Sequence, residues 1–367
     1  MARISIFGDF KANTVEHLNL SGELQYLINN SDICMVNFEA PVHSKGKPIH
    51  KSGPNICQNT LSPEWLELHG INAISLANNH TMDFGKHGLE ATRSSFHTAT
   101  IMGAGSWDEA YRIHTFKTKD GFTIGIICCT QCEFGTLTEH TAEVGCTWAF
   151  SPDFERCLMG GVNCDFLIVM MHGGIEYMDH PLPEWRETYR KWIDIGADAV
   201  IASHPHVPQG WESYKGKPIC YSLGNFCFQK RGKTRPHWNE SLCCILNVTE
   251  PHQVTFEMRP VIYNPDTLYI SDDKSQKTAQ HLLQLNDVLK NNDVYIQYVD
   301  KFCQKLKPHY MNLFSRSGMV TGINMGLIKG VAEWIKSGGK FKKEHALNNI
   351  QCESHRWAIL RSIKQTL

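Results

Sequence analysis

The chain has 367 residues, more than one hydrophobic core usually serves, so length alone points to roughly two domains. Its 42% hydrophobic and 20% charged residues are those of an ordinary soluble globular protein. A formal net charge of -1 gives no long-range pull toward nucleic acid or an anionic membrane, and no nucleic-acid partner is expected.

The chain opens on Ile4-Ser5-Ile6-Phe7, an apolar stretch too short for a signal-peptide core that reads as a first strand. No apolar run approaches the length of about 18 residues needed for a membrane span, so no transmembrane segment is expected and the cytoplasm is the expected compartment. The 14 cysteines are scattered through strand-like runs and are not spaced as a disulfide framework. Cys129-Thr130-Gln131-Cys132 has CxxC spacing but no second pair at zinc-ribbon distance, and reads as a buried strand end.

Strand-sized apolar runs follow at 2–7, 32–38, 71–77, 122–128, 165–171, 197–202 and 218–223. Helical patterns lie between them at 14–29, 85–97 and 184–195. In the last of these, Trp185, Tyr189, Trp192 and Ile193 recur at helical spacing and read as core. This alternation predicts an α/β architecture with a largely parallel sheet covered on both faces. Residues 241–265 read as further strands, antiparallel at an edge. Beyond Asp272 the pattern turns helical, at 276–291, 293–306, 323–337 and 343–364, with Ser337-Gly338-Gly339 as a stop. The expected division is a domain at 1–268 and a helical carboxyl-terminal extension at 269–367.

Polar groups fall where these runs end. Ser203-His204-Pro205-His206 follows the run ending at Ala202; Asp9, Glu39, Asn79-His80, His172 and Asn225 occupy the same kind of position. Open α/β sheets place ligand sites at the carboxyl ends of their strands. Carboxylate, amide and imidazole are the donors that borderline divalent metals accept. A lone histidine is more often a satisfied polar residue than a ligand, but a series at strand ends makes a site. Asn78 reads as a turn former through left-handed geometry, and Asp83 as the N-cap of the following helix. Asn225 fits a substrate contact or a strand-end turn equally. Lys230, Arg231, Lys233 and Arg235 form a basic run, read as a solvated loop or, less often, an anion-binding lid.

Two segments resemble motifs of the CapA family, associated with bacterial capsule and poly-γ-glutamate synthesis. They are Leu76-Ala77-Asn78-Asn79-His80-Thr81-Met82-Asp83-Phe84-Gly85 and the stretch from Gly196 through Ser203-His204-Pro205-His206 to Gly210. Gly8-Asp9, Asn37-Phe38-Glu39-Ala40-Pro41, His172-Gly173-Gly174-Ile175-Glu176-Tyr177 and Tyr221-Ser222-Leu223-Gly224-Asn225-Phe226 match in the same order, so the resemblance covers roughly residues 3–265. More distantly, the family resembles the calcineurin-like metallophosphoesterases, which implies a four-layer αββα sandwich with a two-metal site.

Carried across position by position, the resemblance makes Asp9, Glu39, Asn79, His172, His204 and His206 metal ligands, with Glu39 bridging. His80 becomes the general acid at the leaving group. The pattern departs at Asp9-Phe10-Lys11, where Lys11 stands in place of a histidine ligand, and at Ser203, which replaces a glycine. One or two ions of Mn, Fe or Zn are implied.

Paired metals can clamp attacking and leaving oxygens and supply a low-pKa water, for phosphoesters or amides alike. Glu176, four residues past His172, could orient a ligand imidazole or bind an amine, and Glu176 and Asn225 are the candidate substrate-binding residues. The expected function is a metal-dependent hydrolase of phosphoester or γ-glutamyl amide bonds in capsule or poly-γ-glutamate-type polymer synthesis, acting on an anionic or polymer-precursor substrate. The alternative is a non-catalytic accessory subunit of a synthesis or export complex, recruited through the helical tail.

Overall fold

In the run Phe166–His172, Phe166, Ile168 and Met170 face one core and Leu167, Val169 and Met171 another. A strand's period of two, with apolar residues on both faces, buries it on both sides. Thr123–Thr130 and Ala199–Ser203 divide their side chains in the same way. Across the molecule Ile4, Ile6, Ile33 and Met35 reach the same inner core, while Phe7, Cys34 and Val36 face outward. Two sheets therefore pack face to face.

The computed structural model describes residues 1–43, 46–140, 142–160, 163–230, 232–314 and 340–364. The first sheet runs Asn19–Leu20, Tyr269–Asp272, Gln253–Asn264, Glu240–Glu250, Ala2–Lys11, Ile33–Phe38, Ala73–Ser75 and Thr100–Met102, with Asn225–Phe228 also paired to Ala2–Lys11. The second runs Trp211–Tyr214, Lys217–Cys220, Ala199–Ser203, Phe166–His172, Thr123–Thr130 and His114–Lys117. Helices Gly22–Asn29, Ser62–Leu68 and Gly85–Ser94 cover the first sheet through Leu24, Leu27, Trp65 and Leu89. Pro152–Gly160 and Pro183–Asp194 cover the second through Phe154, Leu158, Trp185, Tyr189 and Trp192. The result is the expected four-layer αββα sandwich with carboxyl-terminal helices.

Those helices join existing cores. Gln276–Lys290 inserts Leu282 and Leu285 into the core between the sheets. Asn292–Phe314 and Glu353–Lys364 add Tyr295, Val299, Cys303, Tyr310 and Ala358 to the outer core of the second sheet. Lys340–Gln351 precedes the last helix. The pattern at 323–337, the Ser337-Gly338-Gly339 stop and Arg231 lie outside the described residues.

Three local expectations are corrected. The helix expected over 14–29 starts only at Gly22, because Ser21 caps it by accepting from the Leu24 amide and Asn19–Leu20 is drawn into the sheet. Glu240–Glu250 is not at an edge: it pairs antiparallel with the central strand Ala2–Lys11, so the first sheet is mixed. Asp83 is not an N-cap: the helix Gly85–Ser94 has Phe84 at that position and no side-chain cap.

Register sets the site. Asp9 lies opposite Asn37 on one side and Asn225 on the other. His172 lies opposite Thr130 and Ser203. Each sheet thus ends in a row of polar residues at the same rim.

Candidate metal centre

Asp9 reaches the rim because the backbone beside it is unusually close to its neighbour. A Cβ on Gly8 would lie 1.9 Å from the Gly224 carbonyl oxygen, and that oxygen accepts a 3.0 Å hydrogen bond from the Asp9 amide. The buried Asp9 carboxylate accepts from Asn37 Nδ2 at 2.7 Å and from the His204 amide at 3.2 Å. Burial would raise its pKa, but the hydrogen bond and charge of His172, with His206 beyond, bring it below the ordinary carboxylate value.

His204 and His206 take left-handed backbone angles, φ 107° and 60°, on either side of Pro205. Such conformations cost about 1–3 kcal/mol each and persist where surrounding contacts over-determine them. Here they turn both imidazoles inward. His204 Nδ1 lies 3.0 Å from His172 Nε2, which is also 3.0 Å from Asn79 Oδ1. His206 Nδ1 lies 3.0 Å from Asn225 Oδ1 and 3.7 Å from Asp9 Oδ2. Burial, then the neighbouring imidazoles, holds His204 well below its ordinary pKa; burial also lowers His172, against the pull of Asp9. Neutral imidazoles are the metal-binding form.

Glu39 stands between them. Its Oε1 is 4.0 Å from His172 Nε2 and 3.7 Å from His206 Nε2. Both carboxylate oxygens are fully buried and have no hydrogen-bond partner. Burial, then Asp9 and Glu176, raises its pKa well above the ordinary value. A buried carboxylate without a partner carries a large desolvation cost that a bound cation would offset. The donor sets Glu39–His172–His204 and Asp9–Glu39–His206 each converge within 4.8 Å and share this one residue. The residues present therefore fit a divalent metal.

Of the other expected site residues, His80 sits beside this cluster. Its Nδ1 is 2.7 Å from Asp83 Oδ2 and 3.2 Å from Lys51 Nζ, and Lys51 pairs with the other Asp83 oxygen. Asp83 thus orients His80 and leaves Nε2 for the cavity. Burial holds His80 below its ordinary pKa despite the Asp83 bond. Asn78 does not act through left-handed backbone: its side chain donates to Asn37 Oδ1 and the Phe38 carbonyl. Asn225 is fully buried, with its Nδ2 donating to the His206 and Trp238 carbonyls. Glu176 is exposed and lines two cavities.

One cavity, of about 480 Å³, is bounded by Lys11, His80, Glu176, Tyr177, His206 and Trp238, among others. Another, of about 160 Å³, is bounded by Lys51, Asn79, His80, Glu133 and the tail residues His345 and His355. At the rim Lys230 lies over the Trp238 ring at 4.7 Å and Arg235 over the Tyr177 ring at 4.1 Å. A larger cleft of about 680 Å³ around Trp107 and Arg112 contains none of these donors.

The sequence reading missed Asn37, Lys51, Gln131, Glu133 and Ser354. Gln131 Nε2 is 3.2 Å from His204 Nε2 and donates to Glu133 Oε1 at 2.5 Å. Burial raises Glu133 to about 7. Asn37 and Gln131 lie at strand ends like the others, a signal that could have found them; Lys51 and Ser354 carry no such signal.

Comparison with known proteins identifies the family of the chain. The chain is 29% identical over 224 residues to the capsule biosynthesis protein CapA of Bacillus anthracis, covering 57% of this chain and 53% of that protein. It is 29% identical over 238 residues to the PGA biosynthesis protein CapA of Bacillus subtilis strain 168, covering 63% and 62%. The matches thus span about half to three fifths of those two relatives. A Mycobacterium tuberculosis protein named "Probable polyglutamine synthesis accessory protein" is 26% identical over 267 residues, covering 65% of this chain and 69% of its own length. Among solved structures, a 5'-nucleotidase from Candida albicans SC5314 aligns over 73% of this chain and 52% of that one, with TM-score 0.43 and 12% identity. Residues 7–230, well over half of the chain, match the model of the family described as bacterial capsule synthesis protein PGA_cap, and the chain belongs to that family.

Proposed function

We propose that this protein is a metal-dependent hydrolase acting on an anionic precursor in capsule or poly-γ-glutamate-type polymer synthesis. The observation that carries the reading is Glu39, whose two buried oxygens have no partner and which both donor sets share. In this reading Asp9, Glu39, Asn79, His172, His204 and His206 hold one or two ions of Mn, Fe or Zn. When bound, such ions supply Lewis-acid polarisation and a water of lowered pKa.

The chain's own residues supply the rest. His80, oriented by Asp83, would act as general acid only as its imidazolium, giving the Nε2 proton to the leaving group while Nδ1–H stays on Asp83; its lowered pKa makes that form the minor one at pH 7. Asn225 fixes the His206 ring. Glu176 and Tyr177 face substrate in the cavity, and Lys230 and Arg235 at the rim draw in its negative charge. A phosphoester and a γ-glutamyl amide are both compatible with this arrangement. A cytoplasmic setting is part of the proposal, supported by 14 free cysteines; no described helix is long and apolar enough to cross a membrane. Leu347, Ile350 and Leu360, exposed on the tail helices, support the tail as a contact surface for a polymer-synthesis complex.

A second reading, a non-catalytic accessory subunit, draws on Lys11 occupying a ligand position and on the accessory role in the mycobacterial relative's name. One experiment separates the two: metal analysis of the purified protein together with hydrolysis assays on phosphomonoesters, phosphodiesters and γ-glutamyl amides. The hydrolase reading expects bound transition metal, lost in H204A/H206A, and turnover that H80A removes. Metal without turnover on any of these classes would leave the accessory reading.

A further inference from the structure

Outside this centre, the loop after Asn225–Phe228 meets the first tail helix, Gln276–Lys290, at a cluster of three side chains. His237 Nδ1 lies 2.8 Å from Glu240 Oε2, and His281 Nδ1 lies 3.4 Å from the same oxygen. The two imidazoles stack with centroids 3.8 Å apart and planes inclined by 18°. His281 Nδ1 is buried and makes no hydrogen bond. The three donors converge within 4.8 Å.

A network of protons explains this arrangement poorly. One carboxylate oxygen faces two ring nitrogens, yet only the nearer nitrogen is within ordinary hydrogen-bond reach. Protonating both stacked rings would set two positive charges face to face. A tetrahedral ion with bonds of about 2.0–2.1 Å needs ligand atoms about 3.3 Å apart. The two spacings, 2.8 and 3.4 Å, bracket that requirement.

We propose that His237, Glu240 and His281 form a further metal site, distinct from the centre around Glu39, that takes a zinc-class divalent ion. Two imidazoles and one carboxylate are a known zinc donor set, with the remaining position open to water. The side chains are 27%, 16% and 16% exposed, so an ion can enter. The left-handed backbone of His237, φ 61°, holds its ring over His281. The ion would tie the tail helix to the loop carrying Trp238, whose indole lies 4.8 Å from His206 and walls the larger cavity. Its role would be structural: holding that wall in place.

The test is titration of metal-stripped full-length protein with Co²⁺, read as bound equivalents and as the visible bands of a tetrahedral site. It uses H237Q/H281Q in two backgrounds, wild type and H204A/H206A, with circular dichroism as the check of folding. The expected result is one fewer equivalent of Co²⁺, and loss of the tetrahedral bands of this site, whenever H237Q/H281Q is present. Equal stoichiometry with and without H237Q/H281Q overturns the proposal. If H204A/H206A does not fold, the wild-type background alone decides. The centre around Glu39 is read separately, from what H204A/H206A removes, so either site can fail without the other.

Discussion

Ser354, on the last helix, donates a 2.5 Å hydrogen bond to Gln131 Oε1, and the same amide presents Nε2 to His204 at 3.2 Å. A residue outside the family-matched region therefore reaches the centre through one intervening side chain. Partners of this kind orient a ligand imidazole, and losing one typically costs about 10–100-fold in metal affinity. Ser354→Ala is expected to weaken metal binding about tenfold, measured by competition with a chelator. It also strands the Trp185 indole N–H, which now donates to Ser354 at 2.7 Å, at about 1–3 kcal/mol of stability. An unchanged metal affinity beside a lowered melting temperature would show that Ser354 serves only Trp185.

Glu39 yields a prediction of opposite signs for the two states of the protein. Without metal, its carboxyl group is buried among Asp9 and the histidines with no partner, so Glu39→Gln removes a desolvation cost. The metal-free variant is expected to be more stable than wild type at pH 7 by about 1–3 kcal/mol. With metal present the order reverses, because the shared ligand is gone. Chemical denaturation with and without chelator checks both signs. A variant less stable than wild type in chelator would mean that Glu39 has a stabilising partner without metal.

Which runs are strands, and that they are covered on both faces, was legible because buried apolar runs of strand length stand out, as in Phe166, Ile168 and Met170 beside Leu167, Val169 and Met171; the four-layer arrangement was implied only by the family resemblance, and the strand order was not legible. The donors at the strand ends were legible for the same reason, since the end of an apolar run marks a rim. Asp83 was misread because an aspartate before a helix carries the cap signature whether or not it caps; its actual partners, Lys51 and His80, come together only in the fold. Ser354 was invisible because it meets Gln131 across a separation of 223 residues, which no local pattern encodes.

His80 and Asp83 should act as a unit. The carboxylate holds Nδ1 at 2.7 Å, which fixes the ring and its tautomer. General acid–base groups contribute about 10²–10⁴-fold to rate. On whichever substrate class is turned over, H80A is expected to lower kcat by that order with metal content unchanged, and D83N by a smaller factor. The double variant should be little worse than H80A alone, since the aspartate acts through the imidazole. Additive losses would mean that Asp83 acts through Lys51 instead.

The buried histidines dictate how the metal-free protein responds to acid. Burial holds His172 below its ordinary value of 6.5, holds His204 well below it, and brings His355, behind the smaller cavity, down to about 4. As pH falls through 6.5 the unfolded chain takes up protons that the folded chain refuses, so unfolding is increasingly favoured. The stability these residues contribute is complete above pH 6.5 and lost below it, with the His355 share falling away between 6.5 and about 4. Denaturation of chelated protein from pH 8 downward is expected to show a fall beginning near 6.5, where proton uptake by the unfolded histidines overtakes the opposing uptake by folded Glu39 and by Glu133, raised to about 7, with a shallower slope in His355→Gln. Glu39 opposes this trend, because its raised pKa means that the folded state binds its proton more tightly than the unfolded one. In Glu39→Gln the fall should therefore be steeper. A profile unchanged by either substitution would mean that neither group changes its proton affinity on folding.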